Sequence, residues 1–146
     1  MLLGVLYDMK KKSDLSEQHY RKALKVNAEF APAANNLAYL LAEKDGDLNE
    51  AFDFARLAKE KLPNDPGVMD TLGWVYYKKG LYDSAIAELN DCIEKMNDNA
   101  MVHYHLGMVY YKVEEGAKAR VALEKALALD PKFEKAEEVR EVLAKL

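Results

Sequence analysis

The chain has 146 residues, 50% of them hydrophobic, and 25 acids against 21 bases leave a formal charge of −4. That length and apolar content suit one ordered domain with a buried core, while the lack of a basic block argues against a nucleic-acid partner. No apolar run approaches a membrane span, and Cys92, the one cysteine, cannot close an internal disulfide.

The first residues, MLLGVLYDMKKK, place an apolar patch ahead of lysines, the reverse of signal-peptide order. A soluble protein is expected, cytoplasmic by default, with the periplasm left open should the chain be a fragment. Leu3-Gly4 and Tyr7 of this segment match Leu37-Ala38 further on, then Leu72-Gly73 with Tyr76 and Tyr77, then Leu106-Gly107 with Tyr110 and Tyr111. The last two sets lie 34 residues apart, and the step before them carries one inserted residue. A fixed period of this length means stacked copies of one unit. Four units are expected, residues 1–30, 31–65, 66–99 and 100–133, followed by a tail, residues 134–146.

Each unit carries two apolar stripes at helical spacing, separated by a turn signal. In the third, Met69, Leu72 and Tyr76 fall at i, i+3 and i+7, Gly80 interrupts, and Ala85, Leu89, Cys92 and Ile93 resume at spacings of three and four. The turns are predicted at Lys11-Lys12-Ser13, Asp45-Gly46-Asp47, Lys79-Gly80-Leu81 and Glu114-Glu115-Gly116, and the breaks between units at Pro32, Pro63, Pro66 and Pro131. Asp14, Asn49 and Asp83 stand near the starts of second helices, where the helix dipole favours them.

With the Gly of Leu72-Gly73 counted as position eight, that position reads Gly4, Ala38, Gly73, Gly107. Position twenty reads Ser16, Ala51, Ala85, Ala119, and position twenty-seven reads Ala23, Ala58, Cys92, Ala126. Small residues at three fixed positions predict close helix crossings that would not accept bulk. In the tail, Ala136, Val139, Leu143 and Leu146 make one apolar stripe on an otherwise charged helix, which suits a helix covering the last unit. At the other end the pattern starts mid-helix without a polar outer face, which reads as a fragment of a longer array or an end that pairs with another chain.

This chain resembles the tetratricopeptide repeat family: a Leu-Gly pair, an aromatic three residues on, small residues in the second helix and a closing Pro at Pro63 and Pro131. The resemblance implies an all-α, right-handed superhelix of about four helix hairpins with a capping helix. It implies a non-catalytic scaffold that holds a peptide or protein segment in a concave groove lined by first helices. By the family's groove positions, those lining residues are Val5, Asp8 and Met9 in the first unit; Asn35, Asn36, Tyr39, Leu40 and Glu43 in the second; Asp70, Thr71, Trp74, Tyr77 and Lys78 in the third; and Tyr104, His105, Met108, Tyr111 and Lys112 in the fourth. Rigid aromatics beside amides are what a peptide-binding surface uses, so Trp74, Tyr77, Tyr104 and Tyr111 are expected as anchors and Asn35, Asn36 and Lys78 as polar guides. The basic clamp with which some members hold acidic chaperone tails is missing: its slots read Asn35, Tyr39, Thr71, Met101 and His105.

Two alternatives belong to other classes: a self-assembling structural scaffold associating through the first unit, and an accessory of bacterial export or envelope assembly, since TLGWVYYKKG, YHLGMVYYK and ALALDPKFEKAEEVREVLAKL are similar to the last repeats of such proteins. No phosphate loop, paired-cysteine metal spacing, metalloprotease helix or nucleophile elbow is present, so neither cofactor, metal nor catalytic residue is expected. His103 and His105, two apart on one helix, point to different faces. Cys92, replacing an alanine at a crossing, is expected as a buried structural thiol.

Overall fold

The computed structural model describes the backbone of residues 2–146 and the side chains of residues 10–146. Among the described residues there are eight helices and no strand: α1 (Leu2–Val26), α2 (Ala31–Glu43), α3 (Leu48–Lys61), α4 (Pro66–Lys78), α5 (Tyr82–Lys95), α6 (Ala100–Lys112), α7 (Gly116–Leu129) and α8 (Ala136–Lys145). None is long and apolar enough to cross a membrane. Each first helix pairs with the second helix of its own unit, α2 with α3, α4 with α5 and α6 with α7. The second helices then touch the next unit, α3 on α4 and α5 on α6, so α2, α4 and α6 lie side by side. That row is the inner face of an all-α repeat superhelix.

The small positions set the helix spacing. A Cβ at Gly73 would stand 2.6 Å from the Leu89 side chain, and one at Gly107 would stand 2.5 Å from Leu123 and 3.3 Å from its backbone nitrogen. In the second unit Ala38 holds this position, and Ala51, Ala85 and Ala119 at the next crossing, like Ala58, Cys92 and Ala126 at the last, are fully buried. Leu89 and Leu123, themselves fully buried, therefore reach across onto a neighbouring backbone. The Cys92 thiol donates to the Pro66 carbonyl at 3.1 Å, and burial pushes its pKa up to about 12, so it rests as an inert core thiol.

Three turns share one geometry. Asp45, Gly80 and Glu114 occupy the same position of successive units and take positive φ, 52°, 79° and 63°. The next amide in each case, Gly46, Leu81 and Glu115, donates five residues back to Leu41, Tyr76 and Tyr110. This is the helix-closing arrangement in which a left-handed residue satisfies carbonyls the helix leaves open. Asp47, Asp65 and Asn99 then accept the first amides of α3, α4 and α6. Asn49, expected near a helix start, is the second residue of α3, and its backbone N–H donates to Oδ1 of the capping Asp47.

The first unit departs from the expected hairpin. Lys11-Lys12-Ser13 does not turn: α1 continues through it as one helix of 25 residues. Lys11 stands where Asp45, Gly80 and Glu114 stand, yet no glycine lies within two residues of it, unlike those three, and lysine sustains a helix well. Ser16 and Ala23, expected at close crossings, are only half-buried. At the far end α8 forms as expected, but its buried stripe is Ala136, Val139 and Val142, while Leu146 is exposed.

Candidate functional site

The inner face has two halves with different fates. In the half built from α4, α6 and α8, the expected anchors are packed away. Trp74 is only 3% exposed. Its indole is stacked between Tyr77, at 4.6 Å between ring centres, and His105, at 4.2 Å, with Tyr104 tilted against it at 5.8 Å. The indole N–H donates to Glu43 Oε1 at 2.6 Å, and the other carboxylate oxygen faces Lys135 Nζ at 3.6 Å. Phe133 meets Tyr104 edge-on at 6.1 Å, and Val139 and Val142 join the same cluster. Burial first, then the nearby Glu138, raises the Tyr104 phenol above its ordinary range. The chain's own residues 133–142 therefore cover the aromatic row.

This corrects the expectation that Trp74, Tyr104, His105 and Met108 project from a free face: all four are buried. The physical reason is the landing site of the C-terminal helix, which shields aromatic surface that repeat spacing alone leaves open. Tyr77 and Tyr111 stay half-buried at the edge of the cluster, Lys112 is exposed, and Lys78 lies over the Trp74 ring at 5.4 Å while facing Asp45 at 3.8 Å.

In the other half, between α1, α2 and α4, the face is open. A cleft of about 380 Å³ is lined by Ser16 and Tyr20 of α1, Asn35, Asn36, Tyr39 and Leu40 of α2, and Asp70 and Thr71 of α4. Its polar atoms are poorly paired. Among the described residues, Asn35 Oδ1 is buried without a partner, and the Asn35 amide nitrogen reaches only Asn36 Oδ1, at a long 3.5 Å. Asp70 Oδ1 accepts from His105 Nδ1 at 2.7 Å, which leaves His105 Nε2 buried with no partner. Burial above all, then the charges of Glu43, Asp70 and Glu134, holds the Tyr39 phenol above its ordinary range, so it stays a neutral hydroxyl. Of the expected lining, Asn35, Asn36, Tyr39, Leu40, Asp70 and Thr71 thus come together, whereas the side chains of Val5, Asp8 and Met9 lie outside the described residues.

Sequence reasoning missed two features. One is the pairing of Asp70 with His105, which sit 35 residues apart at neighbouring positions of successive units. Complementary polar residues one period and one residue apart were a readable signal. The other is an apolar groove of about 580 Å³ on the opposite side, between α5, α6 and α7, lined by Ile93, Leu106, Tyr110 and Val121 among others. His103 borders it, with Nε2 against the Asn97 carbonyl at 2.8 Å, so the two histidines do face different ways.

Comparison with known proteins matches this architecture. Models described as tetratricopeptide repeat or TPR repeat match residues 3–66, 73–113 and 100–133. A TPR repeat-containing protein of Pseudomonas aeruginosa is 30% identical over 99 residues, a match that covers 66% of this chain and only 17% of that protein. Among solved structures, a thermophilic TPR protein of Thermus thermophilus superposes with a TM-score of 0.79 at 26% identity, covering 99% of this chain and 78% of that one. YrrB, described as a TPR protein with an unusual peptide-binding site, superposes at 0.71 with 22% identity, covering 94% and 71%. MamA superposes at 0.69 with 22% identity, covering 99% and 90%.

Proposed function

The chain belongs to the tetratricopeptide repeat family, whose members are generally non-catalytic interaction scaffolds, and from that premise we propose that it binds an extended segment of a partner protein in the open half of its inner face. The observation that carries the reading is the cleft between α1, α2 and α4, where amide, hydroxyl and carboxylate groups stand beside two tyrosine rings. An extended backbone would offer those amides the donors and acceptors they lack, and its side chains would lie against Tyr20 and Tyr39. Asn36, exposed at the lip, and Asn35, with its buried unpartnered oxygen, are the main-chain guides in this reading. Tyr77, Lys78, Tyr111 and Lys112 border the covered half and would meet the segment only where it runs past the cleft.

The solved TPR protein with an unusual peptide-binding site supports the reading as a case of the same architecture. A displayed library of random octapeptides, panned against the protein and against Asn36→Ala and Tyr39→Ala variants, tests it. Enriched peptides should lose about tenfold or more in affinity for each variant, by analogy with anchor residues at interfaces. Melting should shift by the equivalent of about 1 kcal/mol or less for Asn36→Ala, since its side chain is exposed. Peptides that bind both variants as tightly as the parent would move the site elsewhere.

A further inference from the structure

We propose, resting on the groove reading above, that the cleft between α1, α2 and α4 is a subsite for a cationic side chain, lysine or arginine, of the bound segment. The cleft's charge and its unmet hydrogen-bonding capacity share one sign. Asp70 contributes a carboxylate whose side chain is only 15% exposed, and among the described residues the only cationisable group within 4 Å of it is His105. His105 Nδ1 donates to one Asp70 oxygen, and no lysine or arginine among the described residues lies within 4 Å of the carboxylate. A largely desolvated carboxylate without a lysine or arginine partner is costly, and a cation that enters the site relieves that cost.

Several neighbouring atoms can accept a hydrogen bond. Asn35 Oδ1 is buried and unpartnered, and the hydroxyls of Ser16 and Thr71 supply further oxygens around the same space. Tyr20 and Tyr39 line the cleft as well, and aromatic faces attract cations. An ammonium or guanidinium brings donors alone, which is the complement of this set. The volume of about 380 Å³ suits one long side chain rather than a folded element. An acidic or carboxylate-ended segment would meet Asp70 with no lysine or arginine within 4 Å of it among the described residues.

The test is a titration of labelled protein, followed by amide chemical shifts, with capped pentapeptides in which glycines flank a central arginine, lysine, norleucine or glutamate, and with arginine amide alone. The arginine and lysine peptides should shift the amides of Asn35, Tyr39, Asp70 and Thr71 in a saturable way, about tenfold more tightly than the norleucine and glutamate peptides. Asp70→Asn should remove that preference. Because Asp70 also holds His105, Asn36→Lys serves as a second variant: its exposed side chain puts a competing cation at the lip without disturbing the core. A norleucine peptide that binds the same amides as tightly as arginine would overturn the cation subsite and leave the groove reading standing. So would a preference unchanged in Asn36→Lys, or arginine amide that leaves these amides unshifted at saturating concentration. If none of the pentapeptides shifts these amides, the subsite falls, and the octapeptide library judges the groove separately.

Discussion

The two halves of the inner face use the same positions of the repeat and end in opposite states. In α2, Asn35, Asn36 and Tyr39 border an open cleft, with Asn35 Oδ1 unpaired among the described residues; in α4 and α6, Trp74, Tyr104 and His105 form a closed aromatic stack under residues 133–142. Position in a repeat therefore fixes which way a side chain points but not whether solvent reaches it. What decides the second matter is the next stretch of chain to arrive. Residues 133–142 cover the last first helices, while α1, the neighbour on the other side, leaves a gap above α2.

The largest expected effect comes from breaking the closed half. Trp74→Ala removes a ring that is 3% exposed and stacked on two partners, and it leaves Glu43 without its indole donor. It should cost about 3–5 kcal/mol in urea or thermal unfolding. A loss under about 1 kcal/mol would show that the stack is not structural and would return Trp74 to the list of ligand anchors. Next in size is Gly107→Ala, on the helix that carries Tyr104 and His105. The added Cβ meets Leu123 at 2.5 Å, with the Leu123 backbone nitrogen close behind, so it should cost about 1–3 kcal/mol by overpacking, offset in part by alanine's better helix propensity. A stabilised variant would mean that α6 and α7 can move apart freely.

Most of the fold was legible because a 34-residue period is a strong constraint. The small residues at positions eight, twenty and twenty-seven announce crossings, and the structure puts Leu89 and Leu123 over the glycines. The continuation of α1 through Lys11 was not legible, because polar residues mark a turn and a solvated helix alike. Nor was the covering of Trp74 and Tyr104, since it depends on where a helix outside the period lands: the stripe on α8 says that it packs, not on what. The open cleft was half legible. Its residue types were in view, but the buried Asn35 oxygen, the Asp70 carboxylate and the Tyr39 hydroxyl share one space only when two helices bring them together.

The smallest effect concerns how α1 borders the open half. Among residues 10–26 no side chain of α1 is fully buried, and its described polar links are Glu17 to Lys44, Glu17 to Arg21 and Arg21 to Glu50. The Lys44 ammonium first, then Arg21, holds the Glu17 carboxyl below its usual 4.5, against the opposing effect of partial burial. A carboxyl with a lowered folded-state pKa contributes stability above its unfolded value, and that contribution fades as pH falls through the folded one. The attachment of α1 should therefore be complete above about pH 5 and weaken as the medium becomes more acid. The links lie near the surface, so their joint contribution should stay within about 1 kcal/mol and shrink with added salt. Amide exchange reads this locally. Between pH 6 and pH 4, after correction for the intrinsic rate, amides of residues 14–26 should lose more protection than those of α6, and Glu17→Gln should remove most of the difference. If α1 and α6 lose protection equally, ion pairs do not hold α1, and apolar contact through Tyr20 and Leu24 sets that wall of the cleft instead.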